Sequence, residues 1–169
     1  MRAGGTASVR GKVPMTREGY EHLKRELERL RTEGRRKASQ AIADARGHGD
    51  ISDNAEYDAA KEHQAFVEKR IGDLEGKLAA AQVIDTSNLT GDRVTFGSTV
   101  LLRDSNGGGE VRYRIVGSDE SDVKQGKISV SSPLARALIG KGPGDEVVVH
   151  APGGKKAYEI LRVNFPWGS

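Results

Sequence analysis

From Tyr20 onward the apolar residues recur at helical spacing: Tyr20, Leu23, Leu27 and Leu30 stand three, four and three positions apart. That spacing puts them on one face of a helix, with Glu21, Lys24, Arg25, Glu28 and Arg29 on the solvated face. The seam then thins to Ala38, Ala41, Ile42 and Ala45, small residues that let a partner helix come close. A second run, Ala60, Gln64, Val67, Ile71, Leu74, Leu78 and Ala81, alternates spacings of four and three without a break. Between the two runs lies Gly47-His48-Gly49-Asp50-Ile51-Ser52-Asp53-Asn54, two glycines among short polar side chains. So short a connection predicts an antiparallel helical hairpin with this segment at its tip. At ~1.5 Å per residue, Thr16 to Arg46 makes a rod roughly 45 Å long. A homodimeric coiled coil is the other reading of the heptads, and it leaves the glycine-rich break unexplained.

Pro14-Met15-Thr16 reads as the helix start, with Thr16 as N-cap and Glu18 and Glu21 in the early turns, where carboxylates suit the helix dipole. Gly34 disfavours a helix interior by ~1 kcal/mol. Neither it nor Gly72 and Gly76 has a reason visible in the sequence.

After Gln82-Val83-Ile84-Asp85 the period changes from helical to two. Ser98–Arg103, Glu110–Val116, Lys127–Val130, Asp145–His150 and Lys156–Val163 read as strands, with Asp104–Gly109 and Ala151–Gly154 as turns. One short helix is announced by Ser132 as N-cap, Pro133 at its first position and Gly140 just past its end. The expected fold class is α+β: an antiparallel coiled-coil hairpin followed by a small antiparallel sheet domain with one helix. The expected domains are a disordered tail over 1–13, the hairpin over 14–85 with its tip at 47–54, and the sheet domain over 86–169. Phe165 and Trp167 fall in a loose tail.

Composition narrows the function without choosing it. The 169 residues carry a net charge of +3 with a pI of about 9.2, far from the dense positive charge of a duplex-DNA binder. There is no cysteine, which excludes disulfides and thiolate metal sites and fits a reducing compartment. No apolar run approaches the ~20 residues of a membrane span. A soluble, cytoplasmic protein with no membrane partner is expected.

The candidate chemistry is concentrated at the tip. Asp53 and Glu56 have the spacing of a capping box at a helix start. Alternatively, Asp50 and Asp53 together hold a divalent cation. Mg²⁺ prefers oxygen ligands, keeps several waters and is often held by one or two carboxylates beside substrate phosphates. Two acids at an exposed tip would complete a site belonging mostly to a partner. The two readings are compatible, since a capping carboxylate has a second oxygen.

Ala43-Asp-Ala-Arg-Gly-His-Gly-Asp-Ile-Ser-Asp-Asn-Ala-Glu-Tyr57, with Asp58-Ala-Ala-Lys-Glu62, resembles the tip of the bacterial Gre transcript-cleavage factors. Pro14-Met-Thr16, Tyr113-Arg-Ile-Val-Gly117 and Ser129-Val-Ser-Ser-Pro-Leu-Ala-Arg-Ala-Leu-Ile-Gly-Lys141 extend the resemblance in order over nearly the whole chain, and the A-type branch is the closer of the two. The resemblance implies a hairpin that enters the secondary channel of bacterial RNA polymerase and an FKBP-like domain that docks on the channel rim. It implies an accessory factor, not an enzyme: the tip acids help the polymerase's own site to cleave the nascent RNA 3′ end in backtracked complexes. Asp50 matches the family's first tip acid. Asp53 stands where the family usually has Glu, one methylene shorter. The implied cofactor is Mg²⁺, shared by Asp50 and Asp53 with the polymerase and absent from the isolated, monomeric protein.

By the same resemblance, Asn54, Tyr57 and Arg46 shape the tip or touch RNA, with helix packing as the plain alternative for Tyr57. Ser129, Ser131 and Pro133 match the rim-docking loop, although helix capping would by itself account for Pro133. Arg35-Arg36-Lys37 would add to a basic face guiding RNA, or be merely solvated. The competing functions are a non-cleaving channel regulator, a peptidyl-prolyl isomerase housed in the sheet domain, and a coiled-coil adaptor.

Overall fold

The structure, a computed structural model, describes residues 12–47 and 54–167. These form two compact units. Tyr20–Ala81 make up one, and the described residues through Gly19 with those from Gln82 on make up the other.

The helical unit is the expected hairpin. Its first limb runs as α1 (Arg17–Arg29), a π-turn (Leu30–Gly34) and α2 (Arg35–Arg46); the second limb is the single helix α3 (Ala55–Ala80). Leu23, Leu27, Ala38, Ile42 and Ala45 are buried against Ala60, Val67, Ile71 and Leu74, so apolar burial holds the limbs together. Ala41 is exposed, contrary to its place in the predicted seam. Arg31 pairs with Glu75, and Arg35 with Glu68, an antiparallel succession across the limbs.

The π-turn supplies a reason for Gly34. Arg35 N–H donates to the Leu30 carbonyl, five residues back, and widens the helix locally. A Cβ on Gly34 would sit 3.2 Å from Leu30 Cδ2 and 3.6 Å from Val67 Cγ1, so glycine lets the widened turn close onto α3. Gly72 and Gly76 have no such neighbour, and nothing in the structure explains them.

Two short strands, β1 (Val13–Thr16) and β2 (Ala81–Ile84), pair beside the root of the hairpin. They correct the reading of Pro14–Thr16 as no more than a helix start. Thr16 nevertheless caps α1, its hydroxyl accepting from Gly19 N–H at 3.1 Å. Glu120 clamps this junction. Its carboxylate accepts from Thr16 N–H at 2.9 Å, from Gly117 N–H at 3.0 Å and from the Thr16 hydroxyl. Gly19 must lack a side chain here, because a Cβ would overlap the Glu120 carboxyl.

The five predicted strands are all present: β3 (Thr99–Asp104), β4 (Glu110–Val116), β5 (Lys127–Ser129), β6 (Glu146–Ala151) and β7 (Gly154–Val163), in the order β5-β4-β3-β7-β6. Pairing is antiparallel except between β4 and β5, which run parallel through Ile115 and Ile128. Parallel strands need a crossover rather than a hairpin; here two short 3₁₀ turns, Ser118–Glu120 and Val123–Gln125, make it. Helix α4 (Pro133–Leu138) covers the sheet, with Ala135 and Leu138 in a core of Val94, Val100, Leu102, Ile115, Ile128, Val147 and Ile160.

Phe165 and Trp167 do not form a loose tail. Phe165 is buried, and its backbone exchanges hydrogen bonds with the Thr99 hydroxyl at 2.6 and 2.9 Å. Trp167 lies under the Arg112 guanidinium, 5.4 Å from ring centroid to Cζ. Together with Thr86, Leu89, Arg114 and Asn164 they line a cleft of about 410 Å³.

Candidate functional site

Arg46, Asn54 and Tyr57 are brought together where the limbs meet. Helix α2 ends at Arg46, and Gly47 N–H still reaches the carbonyls of Ala43 and Asp44 at 3.3 and 3.1 Å. Helix α3 begins at Ala55 with Asn54 as its cap: Asn54 Oδ1 accepts from Tyr57 N–H at 3.1 Å. The cap is therefore Asn54 and not Asp53, one position later than the capping-box reading places it. The other end of the same amide, Nδ2, donates to the Ala45 carbonyl at 2.7 Å. One side chain thus satisfies an orphan donor of the starting helix and an orphan acceptor of the ending one. Only an amide can do both, since a carboxylate has no proton to give and a hydroxyl has too short a reach.

Arg46 lies over the half-buried Tyr57 ring, its Cζ 5.8 Å from the centroid. The contact leaves the Arg46 side chain exposed, with a positive charge held over an aromatic face. Tyr57 is thus in contact with the end of the opposite limb. Arg35 is committed elsewhere. It forks onto Glu68 through Nε at 2.9 Å and a terminal nitrogen at 3.0 Å, and this pair raises the Arg35 pKa and lowers that of Glu68. Of the predicted basic group, Arg36 and Lys37 are exposed.

Asp50 and Asp53 lie outside the described residues. Among the described residues no group of three His, Asp or Glu side chains is placed to hold a metal ion. The donor chemistry of the two acids suits a hard cation such as Mg²⁺, and with Asn54 as cap Asp53 is not required for that duty.

The second group is on the sheet unit. Ser129 ends β5, and Ser131 and Pro133 follow in the turn into α4. Ser132 caps that helix, its hydroxyl accepting from Ala135 N–H at 3.2 Å, with Pro133 exposed at the first helical position. Ser131 N–H donates to Ser129 Oγ at 3.1 Å, and the two hydroxyls lie 2.8 Å apart. A residue that the sequence reading missed joins them: Ser118 Oγ is 2.9 Å from Ser129 Oγ and 3.3 Å from Ser131 Oγ. Nothing local in the sequence marks Ser118, because the parallel β4–β5 crossover is what delivers it.

The comparisons agree with the two-part fold. Residues 13–83 match the family described as transcription elongation factor, N-terminal, and residues 89–165 match transcription elongation factor, GreA/GreB, C-terminal. Transcription elongation factor GreA of Phenylobacterium zucineum is 56% identical over 154 residues, 91% of this chain and 98% of that protein. GreA of Anaeromyxobacter sp. strain K is also 56% identical, over 91% of this chain and 93% of its own. Among solved structures, GreA factor homolog 1 of Thermus thermophilus is 31% identical over 91% of this chain and 99% of its own; its TM-score of 0.40 carries no structural argument. The chain belongs to the GreA/GreB family of transcription elongation factors.

Proposed function

We propose that this elongation factor binds bacterial RNA polymerase with its hairpin in the secondary channel and its Ser129, Ser131 and Pro133 loop on the channel rim. There it stimulates the polymerase's own hydrolysis of the RNA 3′ end in backtracked complexes. The factor is accessory: Asp50 and Asp53 complete a site whose remaining ligands belong to the polymerase, and the Mg²⁺ they help to hold supplies charge neutralisation and a positioned water for in-line displacement. The observation that best supports this reading is the double hydrogen bond of Asn54. It pins both helix ends on either side of the acidic segment and supplies the helix cap, a duty that therefore does not fall to the acids. Arg46, held over Tyr57, offers an exposed cation for the RNA backbone beside them.

The deciding assay uses backtracked bacterial polymerase carrying end-labelled RNA. With Mg²⁺, the protein is expected to release 3′ fragments and restore elongation. Asp50→Ala is expected to abolish release and keep polymerase binding. A parent-like cleavage rate in that variant would falsify the metal-completing role. Binding with no cleavage by the parent itself would leave the non-cleaving regulator as the better reading. Trp167 and Phe165 now line a cleft, so a peptide isomerisation assay is also informative; no activity is expected.

A further inference from the structure

The three hydroxyls of Ser118, Ser129 and Ser131 form a closed triangle, with edges of 2.9, 2.8 and 3.3 Å. Each hydroxyl has one proton to donate and two lone pairs to accept with. Three edges consume all three protons, so the ring has no donor left. Each oxygen keeps one lone pair, and that of Ser129 is taken by Ser131 N–H at 3.1 Å. Ser118 and Ser131, both exposed, are left with one outward acceptor each.

The triangle is held rigidly from both sides. The Ser118 carbonyl accepts from the Ser121 hydroxyl at 3.0 Å, and Gly117 N–H is fixed on Glu120. Across the triangle, the Ser129 carbonyl accepts from Ser132 N–H at 2.9 Å, which closes the turn into the capped α4. Little ordering is left for binding to accomplish, and preorganised polar groups contribute most to affinity under that condition.

We propose that Ser118 is a further polymerase-contacting residue, and that the Ser118–Ser131 face is an acceptor-only patch read by a hydrogen-bond donor on the rim, a lysine, arginine or main-chain N–H. This rests on the docking reading of Ser129, Ser131 and Pro133 and adds to it a residue and a polarity. Complementary polar placement of this kind sets register and excludes mismatched partners.

The test measures binding of the full chain to core RNA polymerase for Ser118→Ala, Ser118→Asp, Ser118→Lys and, as a docking control, Pro133→Arg. Ser118 and Pro133 are both exposed, so thermal melts of all four are expected to overlay the parent. Ser118→Ala removes one net hydrogen bond and loosens the ring, which predicts affinity about two- to tenfold weaker. Ser118→Asp keeps acceptors only and is expected to bind at least as well as the parent at low salt, with a steeper loss at high salt. Ser118→Lys sets a cation against a donor and is expected to bind more weakly than Ser118→Ala. Parent-like binding by Ser118→Ala, or tighter binding by Ser118→Lys than by Ser118→Asp, would overturn the proposal. If Pro133→Arg weakens binding while the Ser118 series stays flat, docking stands and the hydroxyl patch alone fails. If Pro133→Arg also binds like the parent, the docking reading fails with it.

Discussion

Asn54 donates a 2.7 Å hydrogen bond from its side-chain nitrogen to the main-chain carbonyl of Ala45 and so closes the end of the hairpin from which the acidic segment springs. The bond joins the last turn of one helix to the cap of the next. Asn54→Ala removes both the cap and the bridge and is expected to cost about 1–2 kcal/mol in denaturant unfolding. Asn54→Asp keeps the cap acceptor and sets a carboxylate against the Ala45 carbonyl. It is expected to fall between the two in stability and to lower transcript cleavage more than polymerase affinity. Equal cleavage by Asn54→Asp and the parent would show that the bridge has no bearing on the acids.

The glycines of the hairpin separate into two kinds. Gly72 and Gly76 are exposed in α3 with open space around them, so Gly72→Ala and Gly76→Ala are each expected to stabilise by about 0.5–1 kcal/mol. At Gly34 the same propensity gain is opposed by the 3.2 Å approach of Leu30 Cδ2, and no gain is expected. Urea midpoints of the three variants test the distinction.

Glu120 accepts from three donors at the β1–α1 junction, two of them on Thr16. Glu120→Gln turns an NH₂ group toward at least one of those donors and is expected to destabilise the sheet unit by about 1–3 kcal/mol. The single tryptophan, Trp167, is held by Arg112 within that unit and provides the fluorescence readout.

The pH dependence has opposite signs in the two units. Arg35 holds the Glu68 carboxyl below its ordinary pKa, so its contribution is complete above ~4.3 and is lost as pH falls through the depressed folded value. Glu68→Gln is therefore expected to flatten the acid limb of stability slightly, the pair being exposed. Burial raises the Tyr113 pKa, so its contribution is present below ~10 and is lost as pH rises through the raised folded value. Tyr113→Phe is expected to extend the alkaline limb. Stability profiles of the two variants that match the parent at both extremes would contradict these assignments.

Much of this architecture was legible because burial patterns are local. The alternation in Glu146–Ala151, with Val147 and Val149 in and Val148 out, is written in the strand itself. The Ser132-Pro133 helix start is equally local. What escaped depends on partners far along the chain. The parallel direction of β5 is not encoded in three residues, and Phe165 and Trp167 are recognisable as docked only once Thr99 and Arg112 are beside them. At the tip two adjacent capping residue types compete, and the Asp53–Glu56 spacing favoured the wrong one. Asn54 prevails because its amide can also reach Ala45, a partner nine positions back.

The π-turn at Leu30–Gly34 has an angular consequence. From Leu23 to Ala45 the first limb spans 22 residues, one more than three heptads, while the seam of α3 keeps strict alternation from Ala60 to Leu78. In an uninterrupted helix that extra residue would swing Ala38, Ile42 and Ala45 about 100° off the seam, and Arg46 with them. The widened turn absorbs it. Deleting Thr32 would shorten the limb by only ~1.5 Å. It would also return the spacing to three whole heptads and let the turn close as ordinary α-helix, so the azimuth of the Ala45 carbonyl and Arg46 would be kept; one residue added at the same place would instead rotate both by about 100° from some four turns away.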